Sequence, residues 1–221
     1  MNFYKKYDTY NKNAIVQKKV AKKLFELSKK YINKKEFKNI YEIGCGTGIF
    51  TRMFLSYFKT DEMVLNDIYD TRKYLKDINY NKFILNDMDK ENFSHYEIII
   101  SSSVFQWSKN FENLIKNISN SCKYLVFSVY LADNLLEIKN HFDISLNYLT
   151  VDKIEIILKK YFKNIEKENE IFIEKFNSPI EVLKHLKNTG VTGFKKTEIK
   201  KIRSFSETKI TYKVGYFLCE K

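Results

Sequence analysis

The sequence predicts an α/β protein built on a doubly wound, mostly parallel sheet. Three observations predict it. Short apolar runs alternate five times with stretches of helical period between Asn39 and Val129. The run Tyr96–Ser101 (YEIIIS) is apolar without alternation, as a strand covered on both faces by helices requires. A glycine turn, Gly44-Cys45-Gly46-Thr47-Gly48, lies where the first strand hands over to a helix. Right-handed crossovers between such units place ligands at the carboxyl ends of the strands.

The elements follow in order. Residues 1 to 12 are polar and aromatic, with Phe3, Tyr4, Tyr7 and Tyr10 among lysines, open to reading as a frayed end or a short lid. From Asn13 to Tyr31 apolar residues recur at Val16, Val20, Leu24, Leu27 and Tyr31, an amphipathic helix with lysines opposite. Asn39–Ile43 is the first strand, and Thr47 to Phe58 has helical spacing. Glu62–Asp67 is a second strand ending in an acid, followed by a helix-compatible Tyr69–Ile78. Lys82–Asn86, Tyr96–Ser101 and Lys123–Val129 are the third to fifth strands, with a helix over Phe111–Ile118. Asp133–His141 and Val151–Tyr161 read as helices and Glu170–Phe176 as a strand. Ser178-Pro179-Ile180-Glu181 starts a helix with a Ser cap, Pro at the first position and Glu three after the cap; Gly190 stops it. Thr208–Cys219 alternates Ile210, Tyr212, Val214, Tyr216 and Leu218, a final strand of period two.

A chain of 221 residues suits a single domain with a sizeable core. It contains neither a bilayer-spanning run nor the apolar segment of a signal peptide, so a cytoplasmic location is expected, with no membrane partner. Cys45, Cys122 and Cys219 fit neither a disulfide framework nor a zinc site, and His95, His141 and His185 are isolated; no metal is expected. The net charge of +12 suits an anionic partner, or reflects lysine-rich composition. With only Arg52, Arg72 and Arg203 as arginines, sequence-specific nucleic-acid reading is disfavoured.

In a dinucleotide fingerprint, G-x-G-x-x-G, the third glycine would stand at Ile49. Glu42-x-Gly44-x-Gly46-x-Gly48 instead resembles the first motif of the class I S-adenosylmethionine-dependent methyltransferases. Asp67, closing the second strand, suits the two ribose hydroxyls, and Asp87-Met88 resembles the adenine clamp. Ser101-Ser102-Ser103-Val104-Phe105-Gln106-Trp107 follows the fourth strand, where such enzymes begin the acceptor pocket; core packing of Trp107 is the competing reading.

Phe3-x-Lys5 with Tyr10, Ala14 and Gln17, the glycine motif, Gln106-Trp107, Leu186-Lys187-x-x-Gly190 and Thr211-Tyr212 together resemble the malonyl-acyl-carrier-protein O-methyltransferases of biotin synthesis over nearly the whole chain. Lys5 stands where arginine is usual in that family, Ser102 where asparagine is common and Thr47 where proline is frequent. The resemblance implies a Rossmann-like class I methyltransferase fold: a seven-stranded, mostly parallel sheet with an antiparallel C-terminal strand and an N-terminal helical lid. Residues 1–34 would be lid and helix, 35–130 the cofactor-binding core and 131–221 the substrate-side helices and closing strands. It implies that Glu42, Gly44, Cys45, Gly46, Gly48, Asp67, Ile68, Asp87, Met88 and Ser102 hold S-adenosyl-L-methionine, with S-adenosyl-L-homocysteine as product.

The implied reaction is attack of a malonyl carboxylate oxygen on the sulfonium methyl. A carboxyl group with a pKa near ~4 is already ionised, so no general base is required and alignment is the task. Tyr10 is expected over the methyl or carboxylate, Gln106 and Trp107 at the acceptor, and Lys187 or Lys5 in an electrostatic role. The expected partner is an acidic acyl carrier protein bearing a malonyl thioester, without stable nucleic acid, the enzyme being a monomer. Methylation of another small carboxylate or of RNA, and a cofactor-binding module without turnover, are the alternatives.

Overall fold

The computed structural model describes residues 11, 13–189 and 198–221. Tyr10, Lys5 and Gly190, each given a role above, lie outside the described residues. The chain runs α1 (Ile15–Tyr31), β1 (Glu36–Ile43), α2 (Ile49–Leu55), β2 (Lys59–Asp67), β3 (Lys82–Leu85), β4 (Tyr96–Ser102), α3 (Phe111–Ser119), β5 (Cys122–Tyr130), α4 (Leu136–Phe142), α5 (Val151–Leu158), β6 (Asn164–Lys175), α6 (Pro179–Asn188), α7 (Ile199–Arg203) and β7 (Lys209–Glu220). Seven strands form one sheet in the order β3-β2-β1-β4-β5-β7-β6. β1 to β5 pair in parallel, and β7 runs antiparallel between β5 and β6, as expected for the closing strand.

β4 shows why its sequence lacks alternation. Ile98 and Ile100 point into the layer beneath α1 and α2, Ile99 into the layer beneath α3 and α5, and all three are fully buried. Burying an aliphatic side chain of this size stabilises by about 1.5–3 kcal/mol, so both faces reward Ile and Val. α1 lays Val16, Val20, Leu24 and Leu27 on the first layer. Among the described residues no helix is long and apolar enough to cross a membrane.

Three expectations need correction. Tyr69–Ile78 is not a helix; only the single 3-10 turn Arg72–Tyr74 forms there. Asp67 accepts the Tyr69 N–H and Asp70 the Arg72 N–H, and such local side-chain bonds compete with a helical ladder. β6 begins at Asn164, six residues before the predicted start, because β7 pairs with it along its whole length and supplies what the polar sequence NIEKEN does not advertise. α2 is also shorter than its periodicity suggested. Phe58 lies beyond its end, yet stacks on Phe54 with ring centroids 4.4 Å apart.

Candidate active site

A cavity of about 410 Å³ opens at the carboxyl ends of β1, β2 and β4 and the residues after β3. The glycine turn forms its floor. Gly44, Gly46 and Gly48 all have positive φ. A Cβ on Gly44 would meet Val104 Cγ2 at 2.4 Å, so this position is closed by packing between two loops. A Cβ on Gly46 would meet no atom within 4 Å, leaving its face open to an approaching ligand. Gly48 does not line the cavity: its Cβ position is filled by Ile78 Cδ1 at 2.5 Å, and it serves the start of α2.

Arg52 braces the turn from behind. Its guanidinium donates to the Thr47 carbonyl (2.6 Å), the Tyr74 carbonyl (2.8 Å) and both oxygens of Asp77 (2.6 and 2.7 Å). On the other side the Thr47 hydroxyl donates to Asn11 Oδ1 at 2.6 Å, tying the segment before α1 to the turn.

Two of the acids that line the cavity are buried. Glu42 is 1% exposed, and its Oε2 has no hydrogen-bond partner. Burial pushes its carboxyl up to about 8; the Thr51 hydroxyl, close but outside hydrogen-bond geometry, opposes this, Asp67 adds to it and Arg52 opposes it. Asp67 is 6% exposed; Oδ2 accepts the Gly46 N–H and Oδ1 the Tyr69 N–H, each at 2.9 Å. Burial raises its pKa, and the N–H groups of Tyr69, Gly46 and Ile68 hold it back. Each Asp67 oxygen keeps a lone pair for a further donor. An unpartnered buried acid, an acid with spare acceptor capacity and the open face at Gly46 fit a ligand with a cationic amine and a diol.

Cys45, Ile68, Asp87 and Met88 line the same cavity. Asp87 accepts the Asp89 N–H at 3.1 Å and so caps the turn that lays Met88 against the wall. Asp89 in turn accepts from Ser108 Oγ at 2.5 Å and Lys109 N at 2.7 Å, fastening the loop after β3 to the loop after β4. At the end of β4 Ser102 Oγ meets Ser128 Oγ at 3.2 Å, and in the second loop the Ser103 N–H reaches both the carbonyl and the hydroxyl of Ser128. Gln106 Nε2 donates to the Ser103 carbonyl at 2.6 Å, which leaves Gln106 Oε1 buried without a partner. Trp107 packs on the layer beneath α3 and also lines the cavity.

A methyltransferase domain model matches residues 12–166. A Calditerrivibrio nitroreducens protein named malonyl-acyl-carrier-protein O-methyltransferase is 35% identical over 236 aligned positions, covering 100% of this chain and 95% of its own. This chain belongs to the methyltransferase domain family, among the malonyl-acyl-carrier-protein O-methyltransferases. A Bacteroides thetaiotaomicron relative of the same name is 32% identical, over 86% of this chain and 76% of its own. The fold also matches Haemonchus contortus phosphoethanolamine N-methyltransferase 2, solved with S-adenosyl-L-methionine. The TM-score is 0.59 at 16% identity, over 90% of this chain and 52% of that one.

In this methyltransferase the expected Lys187 does not reach the site. It is exposed on α6, whereas Thr189, just past the end of that helix, is buried and lines the cavity. The Leu186-Lys187-x-x-Gly190 segment thus meets the site through Thr189, whose hydroxyl is held by the His185 and Leu186 carbonyls at 3.0 and 3.3 Å. Sequence reasoning missed Thr189 and Tyr130, named Ser103 only within the stretch after the fourth strand, and gave Gln17 no place in the site; all four line the cavity. Gln17 was legible only as part of the N-terminal pattern. Ser103, at φ 61°, carries no signal in its residue type.

Proposed function

We propose that this protein transfers a methyl group from S-adenosylmethionine to the free carboxylate of a malonyl thioester carried by an acyl carrier protein, an early step of biotin synthesis. The full-length match to the Calditerrivibrio nitroreducens protein carries the choice of acceptor. S-adenosylmethionine supplies an activated methyl on a sulfonium. Glu42 would hold the amine end of this cofactor, Gly44, Cys45 and Gly46 would lie along it, Asp67 would accept from the ribose, and Asp87, Met88 and Ile68 would enclose the adenine.

The remaining residues align and dry the acceptor. Ser102 and Ser103, fixed through Ser128, set the wall from which Gln106 and Trp107 face the acceptor. A malonyl carboxylate arrives ionised, so the protein needs no base; it must position one oxygen and exclude water. Tyr10 is assigned the covering role over the carboxylate. The three buried thiols Cys45, Cys122 and Cys219 suit a reducing cytoplasm.

The test uses methyl-labelled S-adenosylmethionine with malonyl carrier protein, malonyl-coenzyme A and RNA in separate reactions. Base-labile label on the carrier-bound malonyl group is the expected result; label on RNA alone overturns the reading.

A further inference from the structure

We propose that α7 forms the docking face for the acidic carrier protein that presents the acyl thioester. This rests on the reading that the acceptor is carrier-bound. α7 (IKKIR) has no buried residue: Ile199 and Ile202 are 67% and 44% exposed, and Lys200, Lys201 and Arg203 are exposed beside them. Among the described residues no carboxylate pairs with any of these three cations. Glu198 and Glu207 flank the cluster, leaving it net positive. On α1, by contrast, Lys19 meets Glu174 at 2.5 Å and Lys23 meets Glu168 at 2.8 Å. A patch that combines two exposed isoleucines with three unpaired cations has the composition of a binding surface for an acidic, partly apolar partner.

The patch is held in place. His141 Nε2 donates to the Lys201 carbonyl at 2.8 Å, and Phe205, buried just beyond α7, packs on Phe142 and His141 with ring centroids 5.3 Å away in each case. It also stands at the correct end of the molecule. β7 runs antiparallel to β5 with Val214 opposite Tyr130, so the chain entering β7 from α7 lies beyond the carboxyl end of β5. Tyr130, the last residue of β5, lines the cavity, and so does Thr189, upstream of α7. A carrier seated on α7 therefore lies toward the carboxyl end of the sheet, the end at which the cavity opens.

Steady-state kinetics on the full chain separate docking from chemistry. Two variants are compared with the unaltered protein, Lys200→Glu/Lys201→Glu/Arg203→Glu and Ile199→Ser/Ile202→Ser. Malonyl carrier protein and malonyl-pantetheine, which has no carrier, are the two substrates. The charge-reversed variant should raise KM for malonyl carrier protein about tenfold or more, with kcat and KM for malonyl-pantetheine unchanged. For the unaltered protein the carrier KM should climb with salt, and for that variant it should not. The Ile199/Ile202 variant should raise the carrier KM while keeping the salt response. An unchanged carrier KM, or an equal loss on both substrates, overturns the docking face. If the unaltered protein methylates neither thioester, the carboxyl-methylation reading itself fails and this occupant goes with it.

Discussion

Burial keeps the Glu42 carboxyl protonated up to about pH 8, so a cationic ligand that meets it displaces a proton. S-adenosylmethionine binding near neutral pH is expected to release protons. Calorimetry in buffers of different ionisation enthalpy reads this directly, and Glu42→Gln should remove the buffer dependence and weaken binding. Asp67→Ala should cost about 1.5–3 kcal/mol of cofactor affinity for each charge-assisted bond lost; unaltered affinity would remove Asp67 from the ribose. The two glycines should respond differently. Gly44→Ala drives a methyl into Val104 at a positive φ and should lower stability by about 1–3 kcal/mol in denaturant melts. Gly46→Ala meets no protein atom, so its stability cost should stay near ~1–2 kcal/mol while cofactor affinity falls, because the added methyl occupies the ligand's side. That distinction is invisible in the motif, which shows only that each position is glycine.

At the scale of elements, the strand-turn-helix unit was legible because apolar spacing and glycine placement are local properties. Its brace was not. Arg52 reads in sequence as one more charged residue of a helix, and only the approach of Asp77 and Tyr74 makes it a clamp on the turn. Arg52→Ala should destabilise by about 1 kcal/mol, the ion pair itself being half in solvent, and lower cofactor affinity more than stability. The segment after β2 failed as a helix for a related reason: Asp67 and Asp70 capture the N–H groups that a helix would need. α6 was legible from its Ser-Pro-x-Glu start, and Ser178 does accept the Glu181 N–H.

For the molecule as a whole, the buried groups Glu42 and His185 contribute opposite responses to pH. Glu42 is raised from 4.5 to about 8, so its protonated form stabilises the free protein fully below pH 4.5, and that stability is lost as pH rises toward 8. Burial lowers the pKa of His185, against the opposing charge of Glu174, so its contribution is present above pH 6.5 and is lost as pH falls below that. Just below pH 6.5 the two oppose each other; above 6.5 the His185 contribution is complete and the Glu42 slope, about 1.4 kcal/mol per pH unit at its steepest, is unopposed by it. Melting temperature should decline from pH 6.5 to 8 and flatten in the Glu42→Gln protein. The sequence by itself determined the alternation of strands and helices, the carboxyl-end location of the cofactor turn and the acids that follow β2 and β3, because periodicity and strand ends are written within a few residues. Only the tertiary structure decided that Gly48 packs while Gly46 stays open, that Thr189 rather than Lys187 lines the cavity, and that the cations of α7 stand without a carboxylate partner among the described residues. Those facts depend on which distant segments meet, and residue type does not encode a neighbour that arrives from another part of the chain.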